Sequence, residues 1–270
     1  MNYLVLDIET VPSEVAPSEK KPSLASALAD FCFNLESLRQ AEKSVAEFRS
    51  IHRDDFPPPP CHRVVCIGAA RVREEGAIEE LFFVPGDDEK TILKNFTKLI
   101  GDDGLSPPST QCLVSWNGRG FDLPVLLARS MRYGLALPSV WDAWHGYRYE
   151  WNSPAVDLCD WWQGFGAGRK FSMNQASQLI GLPGKPEGVD GGSVADMIRD
   201  GRLEDVRRYC LSDVAQTAGI LLRTLLLRGF LSKEDYTLHA DRLLRTCVEE
   251  GISWVSERSD RHVFLLLGGA

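Results

Sequence analysis

The chain has 270 residues, 44% of them hydrophobic and 25% charged, which are the proportions of a folded globular protein and not of a disordered, collagen-like or disulfide-scaffold chain. Its length suits two domains or one large α/β domain. Thirty basic against 38 acidic residues give a formal charge of −8, which argues against an anionic partner such as nucleic acid unless some of the acids bind metal.

The first residues lack a basic leader and carry two acids where a signal peptide is apolar, so a cytoplasmic protein is expected. Residues 3 to 9 alternate as a β-strand, with Leu4, Leu6 and Ile8 on one face and Val5, Asp7 and Glu9 on the other. Residues 12 to 60 break that pattern with prolines at both ends, a polar middle, a helical stretch from Leu24 to Ile51 and a stiff stop at Pro57 to Pro60. They read as a helical insertion after strand one. Strands are expected at His62 to Val72 and Ile78 to Val84, then a helix from Glu89 to Ile100 on the spacing of Ile92, Leu93, Phe96 and Leu99. A strand from Gln111 to Trp116 runs into Asn117-Gly118-Arg119-Gly120-Phe121-Asp122-Leu123-Pro124, where Pro124 suits the first turn of a helix. A short strand at Ala155 to Leu158, a helix at Ser172 to Ile180 and a Pro/Gly-rich loop at 181 to 192 follow. Leu203 to Leu227 is the longest helical pattern, its apolar stripe running through Val206, Cys210, Val214 and Leu221. The most apolar stretch, Ala218 to Leu231, is broken by Arg223 and Arg228, so no membrane span is expected. A last helix covers Lys233 to Glu250, and residues 251 to 270 read as a terminal strand or a loose tail. Seven cysteines form no C-x-x-C pair, which points to buried free thiols.

Asp7 and Glu9 stand at i and i+2, roughly 6.8 Å apart along a strand, so their side chains can converge on one cation. Taken singly, they also suit an ordinary strand-end acid pair. Asp122 suits a helix N-cap, and Tyr209 with Asp213, one helical turn apart, suits a surface hydrogen bond.

The three features occur in order: a strand with Asp7, Glu9 and Thr10, a strand-to-helix turn with Asn117, Gly118, Phe121, Asp122 and Pro124, and a helix with Tyr209 and Asp213. Together they resemble the DEDD superfamily of 3′-5′ exonucleases in its tyrosine (DEDDy) type, and more narrowly the predicted exonucleases related to the proofreading domain of family B DNA polymerases. The resemblance spans roughly residues 1 to 245 and includes the loop Gly181 to Pro186. It implies an α/β, ribonuclease-H-like fold, a mixed five-stranded sheet flanked by helices. The exonuclease domain would occupy residues 1–250, with 12–60 inserted and 251–270 as a C-terminal tail. It also implies two divalent cations, Mg²⁺ or Mn²⁺, with Asp7 shared between them, Glu9 and Asp213 on the first and Asp122 on the second. Tyr209 would position the attacking water.

The implied reaction is hydrolysis of single-stranded DNA from its 3′ end to nucleoside 5′-monophosphates, with RNA as the alternative substrate. Thr10, Asn117, Phe121 and Lys185 are the expected substrate contacts. Phe121 is the candidate for base stacking, whereas Lys185, like Arg169 and Lys170, could grip a phosphate but better suits a solvated loop charge. Gly164 to Arg169 lacks the ending of a phosphate loop, Asp157 suits local hydrogen bonds at a strand end, and His62 beside Pro60 suits a loop. The rival reading is a catalytically silent module that docks a protein through the 12–60 insertion or the C-terminal helix. The presence of every motif acid speaks against it.

Overall fold

The computed structural model describes residues 2–12, 59, 62–102, 111–145, 155–169, 171–185 and 193–267. The helical stretch expected from Leu24 to Ile51 lies outside these residues. Five strands form one sheet: β1 (Tyr3–Pro12), β2 (His62–Val72), β3 (Ile78–Phe83), β4 (Cys112–Ser115) and β5 (Ala155–Asp157). They lie side by side in the order β3-β2-β1-β4-β5. β2 runs antiparallel to both β1 and β3, while β4 is parallel to β1 and β5 to β4. This is the mixed α/β sheet of a ribonuclease-H-like fold.

The alternation in β1 separates two cores. Leu4, Leu6 and Ile8 pack with α1 (Glu89–Leu99) and α2 (Asp122–Tyr133), through Leu93, Phe96, Leu123 and Leu126. Tyr3 and Val5 face the other way, onto α7 (Leu203–Leu227), through Leu211, Val214 and Ala218. A strand buried on both faces is apolar at almost every position, and here the exceptions are Asp7, Glu9 and Thr10. Between α2 and α7 lie α3 (Pro138–His145), α4 (Leu158–Trp162), α5 (Met173–Leu179) and α6 (Val194–Arg199).

α7 departs from the expectation that nothing here could span a bilayer. By length and apolarity it is long enough, but 83% of its most apolar window is buried inside the protein, as befits a central core helix. It lies across β1 and β2 and is covered by α8 (Lys233–Glu249). The helices α3, α4 and α6 were not expected from the sequence, because none has more than eight residues and so none shows a helical period. Residues 251 to 270 are neither strand nor loose tail in their described part. They form α9 (Ser253–Glu257) and α10 (Arg261–Phe264), which bury Ile252, Val255, Phe264 and Leu265 against the main core. His62 begins β2, as the strand expected from His62 to Val72 has it, and is buried there, not exposed in a loop beside Pro60.

α1 and α2 are locked to the sheet by a buried polar knot. Glu89 accepts from the Val64 amide at 2.8 Å, from Arg129 Nε and Nη2 at 2.8 and 2.7 Å, and from the Tyr133 hydroxyl at 2.8 Å. A bidentate pair this well satisfied fixes α2 over β2, and with it the residue at the head of α2.

Candidate active site

Three elements bring the motif residues to one cavity of about 760 Å³, lined by Asp7, Glu9, Asp122, Tyr209 and Asp213. Asp7 and Glu9 come from β1, whose register with β2 shifts after Glu9, a bulge of the kind that re-aims side chains beside sites. Asp122 is the first residue of α2. It does not cap the helix as its position suggested, since the N-cap is Phe121 and makes no side-chain bond there. The Asp122 carboxylate instead turns to β1 and accepts from the Ile8 amide at 3.3 Å.

The turn that delivers Asp122 is held from β5. Asp157 accepts from the Asn117 and Arg119 amides at 2.8 and 3.1 Å and also caps α4 through the Cys159 amide at 3.0 Å. Its hydrogen bonds therefore reach 40 residues along the chain as well as being local. Asn117 adopts φ +60°, and a side-chain carbon on Gly118 would stand 2.2 Å from Ser115 Oγ, so only glycine fits there. Arg119 closes the turn against α3 by donating to the Trp144 carbonyl at 2.8 Å.

The electrostatics of the cavity are dominated by burial and by acids facing one another. Burial pushes the Asp7 carboxyl well above the usual range, and Glu9, Asp122 and Asp213 push it further. Glu9 is raised by burial and then by Asp213. Asp122 is raised to about 7, chiefly by burial. Asp213 is also raised, because burial outweighs its one ammonium partner.

That partner is Lys185, whose Nζ lies 2.9 Å from Asp213 Oδ2 and 2.6 Å from the Tyr209 hydroxyl. Lys185 stays partly exposed, but it is paired, and the ion pair with Asp213 holds its own pKa above the ordinary lysine range. Asn117, Phe121 and Lys185 line the cavity. Thr10 bonds instead to His62, its hydroxyl 2.9 Å from Nδ1, and the His62 ring meets Phe121 edge to face at 4.9 Å. Two supporting residues escaped the sequence reading. His62 buttresses Phe121 through a tertiary contact, and Cys210, one residue after Tyr209, brings its sulfur to 3.6 Å from Asp7 Oδ2.

A divalent cation fits this donor set. Asp7, Glu9 and Cys210 place ligand atoms within 4.8 Å of one another. Asp213 Oδ1 is buried with no hydrogen-bond partner, an acceptor that a cation would satisfy.

No curated protein matches this sequence. Among solved structures it is similar to the family B DNA polymerase from the hyperthermophilic archaeon Pyrobaculum calidifontis, with a TM-score of 0.49 and 19% identity, over 98% of this chain and 28% of that one. The family described as predicted 3′-5′ exonucleases related to the exonuclease domain of PolB matches residues 54–260. That match takes in Asp122, Lys185, Tyr209 and Asp213, whereas Asp7 and Glu9 precede it and join them through the pairing of β1 with β2 and β4. The match covers well over half of the sequence, and the chain belongs to the family of predicted 3′-5′ exonucleases related to the exonuclease domain of PolB.

Proposed function

We propose that the chain is a metal-dependent exonuclease that hydrolyses single-stranded DNA from its 3′ end and releases nucleoside 5′-monophosphates. The observation that carries this reading is a charge imbalance. Four carboxylates, the buried Glu9, Asp122 and Asp213 and the half-buried Asp7, share one cavity, and Lys185 is the one lysine or arginine among the described residues that line it. Such a cluster is costly alone and favourable around cations.

Asp7 would serve both cation sites, with Glu9 and Asp213 completing one and Asp122 the other. Bound Mg²⁺ or Mn²⁺ would supply an activated water and stabilise charge on the leaving 3′ oxygen. The protein's own side chains would do the rest. The Tyr209 hydroxyl would orient the water, Lys185 would hold a phosphate oxygen, and Phe121, propped by His62, would stack on the terminal base. Asn117, at the head of the Asp122 turn, lines the cavity and would contact the nucleotide there. Thr10 would act through His62.

The test compares 3′- and 5′-labelled single-stranded DNA and RNA in Mg²⁺, Mn²⁺ or EDTA. Expected are progressive shortening from the 3′ end, mononucleotide products, silence in EDTA and preference for DNA; faster loss of RNA would make the chain an exoribonuclease. Asp7→Ala should abolish turnover while single-strand binding persists, and cleavage near the wild-type rate would overturn the site assignment.

A further inference from the structure

Beneath the carboxylates lies a group that hydrolysis does not use. Cys210 is fully buried on α7, and its thiol reaches Asp7 at two points, 3.5 Å to the carbonyl oxygen and 3.6 Å to Oδ2. The second distance is informative. Oxygen and sulfur ligands bound at about 2.0 and 2.3 Å to a tetrahedral zinc stand about 3.5 Å apart. Glu9 completes a triad whose ligand atoms all lie within 4.8 Å. Asp213, one turn further along α7, lines the cavity that holds Asp7 and Glu9, and its Oδ1 is buried with no hydrogen-bond partner. The sheet makes room for the sulfur. Gly68 stands across from Asp7 on β2, and a side-chain carbon there would lie 2.9 Å from Cys210 Sγ.

We infer that Asp7, Glu9 and Cys210 form a second coordination mode of this site, which captures one thiophilic divalent cation of the Zn²⁺ class and thereby blocks the hard cation that hydrolysis requires. The inference rests on the reading above, in which Asp7 and Glu9 serve Mg²⁺ or Mn²⁺. A sulfur ligand is of little use to Mg²⁺ but selects strongly for Zn²⁺. Because Asp7 and Glu9 would be shared, the two modes exclude each other. Capture forms one metal–sulfur and two metal–oxygen bonds in place of bonds to the cation's waters, and releases to solvent the Cys210 thiol proton and any proton held by Asp7 or Glu9, with no change of oxidation state.

The experiment uses Cd²⁺ as the probe, titrated into the full chain without nucleic acid and followed by the ultraviolet thiolate-to-cadmium charge-transfer band. One equivalent should saturate the band, and excess Mg²⁺ should suppress it competitively. Cys210→Ser should remove the band, while Cys247→Ser, in the core of α8, should keep it. Asp7→Asn should weaken Cd²⁺ at least by the roughly 10- to 100-fold that loss of a supporting partner costs a metal site. That variant decides the matter if Cys210→Ser fails to fold. No band in the wild type, a band intact in Cys210→Ser, Cd²⁺ affinity unchanged in Asp7→Asn, or indifference to Mg²⁺ overturns the inference. Mg²⁺-dependent cleavage by a chain with no Cys210 band would sink it and leave the exonuclease reading intact. A Cys210 band in a chain that cleaves nothing would do the reverse.

Discussion

Tyr209 shows how little separates a positioning group from a ligand. Burial holds its phenol above the ordinary tyrosine range, so at neutral pH it carries its proton. In the proposed reaction it would therefore orient a water and not act as a base. Tyr209→Phe should leave metal and DNA binding intact and slow single-turnover cleavage by about 10² to 10⁴, the scale of a positioned proton-handling group. Asp213→Asn should instead weaken metal binding, and added Mn²⁺ should recover part of its rate but not that of Tyr209→Phe. Equal rates for Tyr209→Phe and wild type at saturating metal would remove Tyr209 from the reaction. The carboxylates also make a prediction about pH. The folded chain holds the Asp122 proton up to about 7, against 3.8 for an unperturbed aspartate, so between those values the folded state binds more protons than the unfolded one. Stability then falls as pH rises through that window, and Asp7, Glu9 and Asp213 act in the same direction. Melting in EDTA should occur at a lower temperature at pH 8 than at pH 5, and Mn²⁺ should recover the lost stability at pH 8. Asp122→Asn should flatten the dependence. A melting temperature in EDTA that climbs from pH 5 to pH 8, and does so equally in Asp122→Asn, would contradict the strain assigned to this cluster.

Among the elements, the spacing between α7 and the sheet matters most, because it sets Tyr209 and Asp213 against Asp7. Gly68 fixes that spacing, since a methyl group there would stand 2.9 Å from Cys210 Sγ and 3.1 Å from Val214 Cγ2. Gly68→Ala should cost about 1 to 3 kcal/mol of stability, as overpacking does. Its effect on cleavage should be larger, because a 1 Å misplacement of reacting groups can cost about 10²-fold in rate. Full activity at the wild-type metal optimum would show that α7 tolerates the shift. This contact was invisible in the sequence, and the reason is general to the site. The alternation of residues 3 to 9, the Asp122-to-Pro124 turn and the i, i+4 pair on α7 are local patterns, so one window of sequence displays each. The Asp157 clamp on the Asn117 turn and the Glu89–Arg129 knot each join residues 40 apart, and Lys185 meets Asp213 from beyond α6. No period or cap announces such pairs. α4 was missed for a related reason, since its five residues are held by the Asp157 cap and by packing, not by an amphipathic period.

At the scale of the whole molecule, the acidic excess of −8 at first spoke against a nucleic-acid partner, and the structure changes its meaning by gathering four of those acids at one cavity. The same scale decides what residues after 250 are for. The family match runs to residue 260, and the chain beyond α8 folds back across the core. The Tyr236 hydroxyl donates to the Phe264 carbonyl at 2.6 Å, Arg223 Nη2 donates to the Val263 and Phe264 carbonyls at 2.9 and 3.1 Å, and the Asp260 amide donates to the Gly181 carbonyl at 2.7 Å. Gly181 sits at φ +87° with Asp260 O only 2.7 Å from where a side-chain carbon would stand, so the loop after α5 is shaped to receive α10. A chain ending at 250 would lose Ile252, Val255, Phe264 and Leu265, all buried. At about 1.5 to 3 kcal/mol for each buried side chain, that is about 6 to 12 kcal/mol. A whole domain has about 5 to 15 kcal/mol of stability. The 1–250 chain should therefore fail to fold cooperatively and lose cleavage with it, whereas Phe264→Ala in the full chain, costing about 3 to 5 kcal/mol, should lower the melting temperature and still cleave below it. A truncated chain that melts cooperatively near the wild-type temperature would show that α9 and α10 are an appendage after all.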